Sequence, residues 1–160
     1  MISLLLVATL LSSSPTTVYL VRHAEKVVEP KVDDPDLTDS GKARADALLK
    51  VLRDAKITAI HATEYQRTQK TVAPIAKALG VSVEVLSSKD AAAFAKHVLE
   101  KHAGQTVLIA GHSNTVPDMI KALGVKEPIT IGDQDYDNLY VVIRDGPGGD
   151  PVLLRLHYGQ

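Results

Sequence analysis

The residues best equipped for chemistry are two imidazoles and two guanidiniums, each placed just beyond an apolar run. Arg22 and His23 follow Thr17–Val21 (TVYLV), Arg67 lies shortly after Ile57–Ala62, and His112 follows Thr106–Ala110 (TVLIA). Guanidinium groups fork onto phosphate or carboxylate oxygens, and backbone amides at helix starts, beside Arg67 and at Ser113, add positive potential for an anion. A compact dianion is the ligand such a set would hold. His23 is the candidate nucleophile, because a neutral imidazole near its ordinary pKa of about 6.5 can accept a phosphoryl group and pass it to water. His112 and the arginines would donate to the equatorial oxygens as they gain charge. Glu64, one helical turn before Arg67, is the nearest candidate proton donor for a departing alkoxide.

These residues can meet only if the chain folds to bring strand ends together. TVYLV reads as a buried strand leading into a loop rich in Pro and Asp, and Thr38 offers an N-cap to a helix with Ala43, Ala47, Leu48, Val51 and Leu52 on one side. Ile57–Ala62 is a second strand. Thr63 can cap the next helix with Gln66 completing a capping box, Pro74 should kink that helix, and Gly80 should end it. Val81–Leu86 is a third strand, Asp90 caps a third helix ending at Gly104, and TVLIA is a fourth strand. A short helix with Pro117 in its first turn ends at Gly124, and Leu139–Arg144 with Val152–His157 form a closing antiparallel pair. Strands alternating with helices imply an α/β fold, a three-layer sandwich with a mostly parallel central sheet and helices on both faces. In such sheets ligands bind at the carboxyl ends of the strands, where the residues singled out above lie.

Three blocks resemble the histidine phosphatase superfamily, which contains the phosphoglycerate mutases. VYLVRHAEK resembles its R-H-G signature, ATEYQRTQKT its block with a phosphate-binding Arg, and LIAGHSNT its second-histidine block. The resemblance covers the chain from about Val18 onward. It implies a phosphoglycerate mutase-like fold, a phosphorylated His23, phosphoryl binding by Arg22, Arg67 and His112, and no cofactor. Ala24 replaces the family's usual Gly, a mild change if the backbone keeps negative φ. Lys26 stands where many members carry Ser or Thr. Only Val72–Thr106 separates the second and third blocks, too short for the insertion that carries a lid and a catalytic Glu in longer members. An open site favours hydrolysis over mutase chemistry. The function expected is a metal-independent phosphatase that hydrolyses a phosphomonoester through a phosphohistidine on His23. A protein phosphohistidine phosphatase and a non-catalytic phosphate-binding module are the alternatives.

Other features carry blander readings. Taken singly, a histidine is more often a hydrogen-bonded structural residue and an arginine a surface ion-pair partner. Glu64 also suits a helix dipole, Glu25 and Lys26 could pair within their loop, and the side chains of Ser113 and Asn114 could simply cap a helix. His61, His97, His102 and His157 show no H-E-x-x-H or comparable spacing, so no metal site is expected. Asp133, Asp135 and Asp137 read as a solvated loop bordering the site. A net charge of −1, from 18 basic and 19 acidic residues, gives no footprint for nucleic acid. The lack of cysteine excludes disulfides, thiolate catalysis and iron–sulfur clusters. Leu4–Leu11 is too short to span a bilayer; with Ser12–Pro15 it reads as a signal peptide over 1–15 and hence as export, with an apolar extension of a cytoplasmic protein as the alternative. Residues 16–160 form the phosphatase-like domain in this reading. The partner expected is a small phosphorylated substrate, and neither its identity nor the oligomeric state is legible.

Overall fold

The structure, a computed structural model, describes residues 14–146 and 148–159. Most of the expected signal segment therefore lies outside the described residues. Ten elements follow in order: β1 (Thr16–Arg22), α1 (Asp39–Leu52), β2 (Ala59–Thr63), α2 (Gln66–Leu79), β3 (Val83–Leu86), α3 (Ala91–Lys101), β4 (Thr106–Gly111), α4 (Thr115–Ala122), β5 (Asn138–Arg144) and β6 (Val152–His157). No helix among them is long and apolar enough to cross a membrane.

The six strands form one sheet in the order β3-β2-β4-β1-β5-β6. The first four in that order run parallel, while β5 and β6 close the edge antiparallel. Continuous apolar strands such as VLIA in β4 are what burial on both faces requires. One core cluster packs Val18, Leu20, Val107 and Ile109 against Phe94 and Val98 of α3 and Val116 and Ile120 of α4. The other packs Val21, Ile60, Ala62 and Leu108 against Leu48 and Leu52 of α1 and Val72 and Ile75 of α2. The result is the three-layer α/β sandwich with helices on both faces.

Local chemistry sets most boundaries. Thr38 caps α1 by accepting from Gly41 N at 3.0 Å, and Asp90 caps α3 by accepting from Ala93 N at 2.9 Å. Gly80 ends α2 in the left-handed conformation at φ 66°. The expected capping box at Thr63 is not formed. Thr63 is the last residue of β2, and its hydroxyl donates to Thr68 Oγ1 at 3.0 Å and meets His112 Nε2 at 2.9 Å. Asp34 caps α2 instead, its carboxylate accepting from Gln66 N at 3.0 and 3.1 Å. Pro74, expected to kink α2, lies inside one continuous helix from Gln66 to Leu79.

The loop after β1 is tied at successive residues. Ala24 N donates to Thr71 Oγ1 at 2.9 Å, and Glu25 O accepts from Thr38 N at 2.9 Å. Glu25 does not pair with Lys26: its carboxylate takes Arg44 Nε at 2.9 Å and Nη2 at 2.8 Å in a forked pair. Arg44 also donates to Tyr158 O at 3.0 Å, which joins this loop, α1 and the end of the chain. Both side chains are largely buried, so removing one partner strands the other. Glu25→Gln is expected to cost about 1–3 kcal/mol, read as a lower urea midpoint at unchanged slope.

Candidate active site

The parallel strands deliver their carboxyl ends to one edge. β1 ends at Arg22 opposite Gly111 of β4, and His23 N donates to Gly111 O at 2.8 Å, extending the pairing one residue. Arg22, His23, Arg67, His112 and Ser113 line one cleft of about 560 Å³, together with Lys26, Tyr65, Ser88 and Asp118. The His23 and His112 rings meet edge to face with centroids 5.3 Å apart.

His23 is almost fully buried. Its Nδ1 lies 2.7 Å from Ala24 O, a group that can only accept, so Nδ1 carries the proton and Nε2 keeps its lone pair. Burial pushes the His23 pKa down to about 3, with His112, Arg22 and Arg67 adding to the effect against the pull of the Ala24 carbonyl. Ala24 is buried and does not adopt positive φ, so the missing glycine imposes no backbone strain.

His112 is held from behind by a hydroxyl relay. Thr68 Oγ1 donates to the carbonyls of Thr63 and Tyr65 at 2.9 and 2.7 Å, so the proton shared between the two threonines belongs to Thr63. Thr63 Oγ1 is left to accept from His112 Nε2–H at 2.9 Å. Burial, followed by Arg67, lowers the His112 pKa to about 4, against an upward pull from Glu64.

The arginines are fixed but not saturated. Arg22 Nη1 donates to Gly132 O and Asp133 O at 2.8 and 3.0 Å, and its guanidinium stacks on Tyr136 at 4.1 Å. The aspartate-rich loop thus borders the site through its backbone. Arg67 stacks on Tyr65 at 4.3 Å and reaches Asp34 at 3.4 Å. The Nε atoms of both arginines are buried without a hydrogen-bond partner. The amide of Gln66 at the start of α2, expected to serve an anion, is taken by Asp34.

Glu64 is exposed, outside the residues lining the cleft. Its carboxylate accepts from Ser88 N at 2.8 Å and Ser88 Oγ at 3.0 Å. Partial burial acts upward on its pKa, but hydrogen bonds from its own amide and Ser88 outweigh it and hold the carboxyl below its usual value. Ser113 and Asn114 precede α4, and Asn114 makes no side-chain cap; Thr115 Oγ1 instead accepts from His112 N at 2.8 Å. Sequence reading missed Asp34, Tyr65 and Tyr136. An Asp or Tyr in a turn-rich loop is ordinary, and only the tertiary fold brings these to the arginines.

Residues 18–89, a little under half of the chain, match the family model of the histidine phosphatase superfamily (branch 1). Solved structures share its fold at low identity. The protein histidine phosphatase SixA complexed with tungstate is 18% identical with a TM-score of 0.75, covering 88% of this chain and 96% of its own. YhfR of Bacillus stearothermophilus is 17% identical with a TM-score of 0.68, covering 86% and 95%. A mycobacterial glucosyl-3-phosphoglycerate phosphatase is 13% identical with a TM-score of 0.65, covering 81% and 90%. Curated protein sequences gave no match.

The buried imidazoles have a consequence for stability. His23, His61 and His112 all titrate lower in the fold, at about 3, 4 and 4, than the 6.5 of an unfolded chain. Between those values the unfolded chain binds more protons, so the stability they contribute is complete above pH 6.5 and drains away as pH falls. Each ring is expected to cost roughly 2 kcal/mol at pH 5, and urea titrations at pH 7 and 5 should show the drop.

Proposed function

We propose that the protein is a phosphatase that uses His23 Nε2 as its nucleophile. One observation carries this reading: a neutral imidazole with a bare Nε2 shares a cleft with two arginines whose Nε–H groups are buried and unpartnered. Buried cationic donors without partners are costly, and a tetrahedral anion would satisfy both. The Nε2 lone pair attacks phosphorus, the P–O bond to the leaving group breaks, and its electron pair departs with that oxygen. Water then attacks the phosphorus of the phosphohistidine, the P–N bond breaks with its electron pair returning to Nε2, and a proton of the water passes to a phosphate oxygen as inorganic phosphate leaves. Arg22 and Arg67 stabilise the charge on the transferring oxygens throughout.

His112 enters this scheme through its proton inventory. Its Nε2–H is committed to Thr63, so it can donate to a phosphoryl oxygen only with a second proton on Nδ1. The free cleft, with two arginines and a buried ring, disfavours that proton, whereas a bound dianion favours it. Substrate is therefore the agent that charges His112. No residue of this route requires a metal.

The substrate expected from the sequence is a phosphomonoester. A second reading, the phosphohistidine of a protein, is favoured by the engagement of Glu64 with Ser88, which leaves the nearest expected acid holding a neighbouring loop. An imidazole leaves far more easily than an alkoxide, so a phosphohistidine needs less from an acid. The fold likeness to the protein histidine phosphatase SixA supports the same reading.

His23→Ala is expected to abolish both turnover and the acid-labile phosphoenzyme while phosphate binding persists. Retained hydrolysis of p-nitrophenyl phosphate by this variant would remove His23 as nucleophile. A phosphohistidine peptide and an alkyl phosphomonoester, compared by kcat/KM, separate the substrate classes. The peptide should exceed the alkyl ester by roughly tenfold or more if no acid acts, and equal values would return the case to the monoester.

A further inference from the structure

We propose that the protein has a second site, away from the cleft, where His61, Glu84 and His102 bind a divalent transition-metal ion of the zinc type. Their spacing in the sequence conceals it because the three come from β2, β3 and the C-cap of α3. His61 and Glu84 are register partners across the parallel β2–β3 pair. One ligand atom from each of the three residues lies within 4.8 Å of the other two. Zinc bonds of about 2.0–2.1 Å place tetrahedral ligands roughly 3.3 Å apart, so adjustments of about an ångström would close the set.

Two features mark this cluster as more than core packing. His61 is 1% exposed, and neither of its ring nitrogens has a hydrogen-bond partner. Leaving both buried costs free energy that an ordinary core side chain would not. Its ring is walled by Phe94 at 5.9 Å and His102 at 5.0 Å. His102 has the second feature. Its Nδ1 donates to Gln105 Oε1 at 3.0 Å, which leaves Nε2 bare, buried and without a partner. An outer carbonyl oxygen that fixes the tautomer in this way is the usual support of a metal-binding imidazole.

Glu84 completes the set with negative charge. Its Oε2 lies 3.8 Å from His61 Nδ1 and 2.8 Å from Lys101 Nζ, and its Oε1 lies 3.2 Å from His97 Nε2. Lys101 is half exposed, so it can swing into solvent when a metal ion takes its place. Two imidazoles and a carboxylate suit zinc and its neighbours, whereas calcium and magnesium demand oxygen ligands. Bound there, the ion would clamp α3 onto the sheet and stabilise the folded chain by mass action.

The test uses the full chain, stripped of metal and carrying His23→Ala so that the cleft lacks one of its two imidazoles. Cobalt titration followed by visible absorption, and zinc titration by calorimetry, should each show one equivalent bound and a higher Tm. Glu84→Gln and His102→Gln should each weaken binding by roughly tenfold or more, while His157→Gln, remote from the cluster, should leave it intact. Glu84 is partly exposed, so Glu84→Gln keeps the test valid if His102→Gln does not fold. Absence of stoichiometric binding, or binding that Glu84→Gln leaves unchanged, would overturn the proposal.

Discussion

The site depends on keeping one imidazole uncharged among cations. His23 would lose its free Nε2 lone pair, the proposed nucleophile, on protonation, and three effects oppose that proton: burial, the neighbouring His112, and the fields of Arg22 and Arg67. The Ala24 carbonyl fixes which nitrogen remains bare. The surrounding fold can be understood as the apparatus that holds this ring still. β1 is the sheet's inner strand between β4 and β5, Thr71 fastens Ala24, and the Glu25–Arg44 pair ties the loop to α1 and the chain end.

Such a site is expensive in free energy. Arg22 Nε and Arg67 Nε are buried without partners, and His23 and His112 give up solvation without gaining full compensation. The two apolar layers on either side of the sheet offset this cost, and the polar exceptions to their burial concentrate at strand ends. The histidine cluster at β2 is a second exception of the same kind. Along β2, Ile60 and Ala62 pack toward α1 and α2, while His61 faces Phe94 on the other side. A polar ring at that alternate position has no use in packing that Leu or Val would not serve better.

Much of this was legible in the sequence. Apolar runs located the strands to within about two residues, and the caps at Thr38 and Asp90 behaved as their residue types dictate. Placing strand ends together was enough to gather Arg22, His23, Arg67 and His112. What escaped were contacts that no local pattern encodes. Thr63 has the residue type and the spacing to Gln66 of a capping box, yet tertiary contact with His112 claims its hydroxyl. Glu64 has the position of an acid, yet Ser88, 24 residues on, holds it. His61, Glu84 and His102 match no spacing motif because a strand pair and a helix end assemble them.

Asp34 decides where an anion can sit. A carboxylate that caps α2 and touches Arg67 already occupies the helix start on that side of the cleft. A phosphoryl group placed there would meet like charge at close range and would have to displace a cap. The unpartnered donors are Arg67 Nε and Arg22 Nε, and the cleft also takes in Ser113 at the approach to α4 and His112, which can donate only once its Nδ1 gains a proton. On the proposed reading the phosphoryl position is therefore drawn toward His112, with Asp34 acting as a fence. On the same reading, a leaving group rich in negative charge is the kind that the Asp34 carboxylate beside Arg67 would resist.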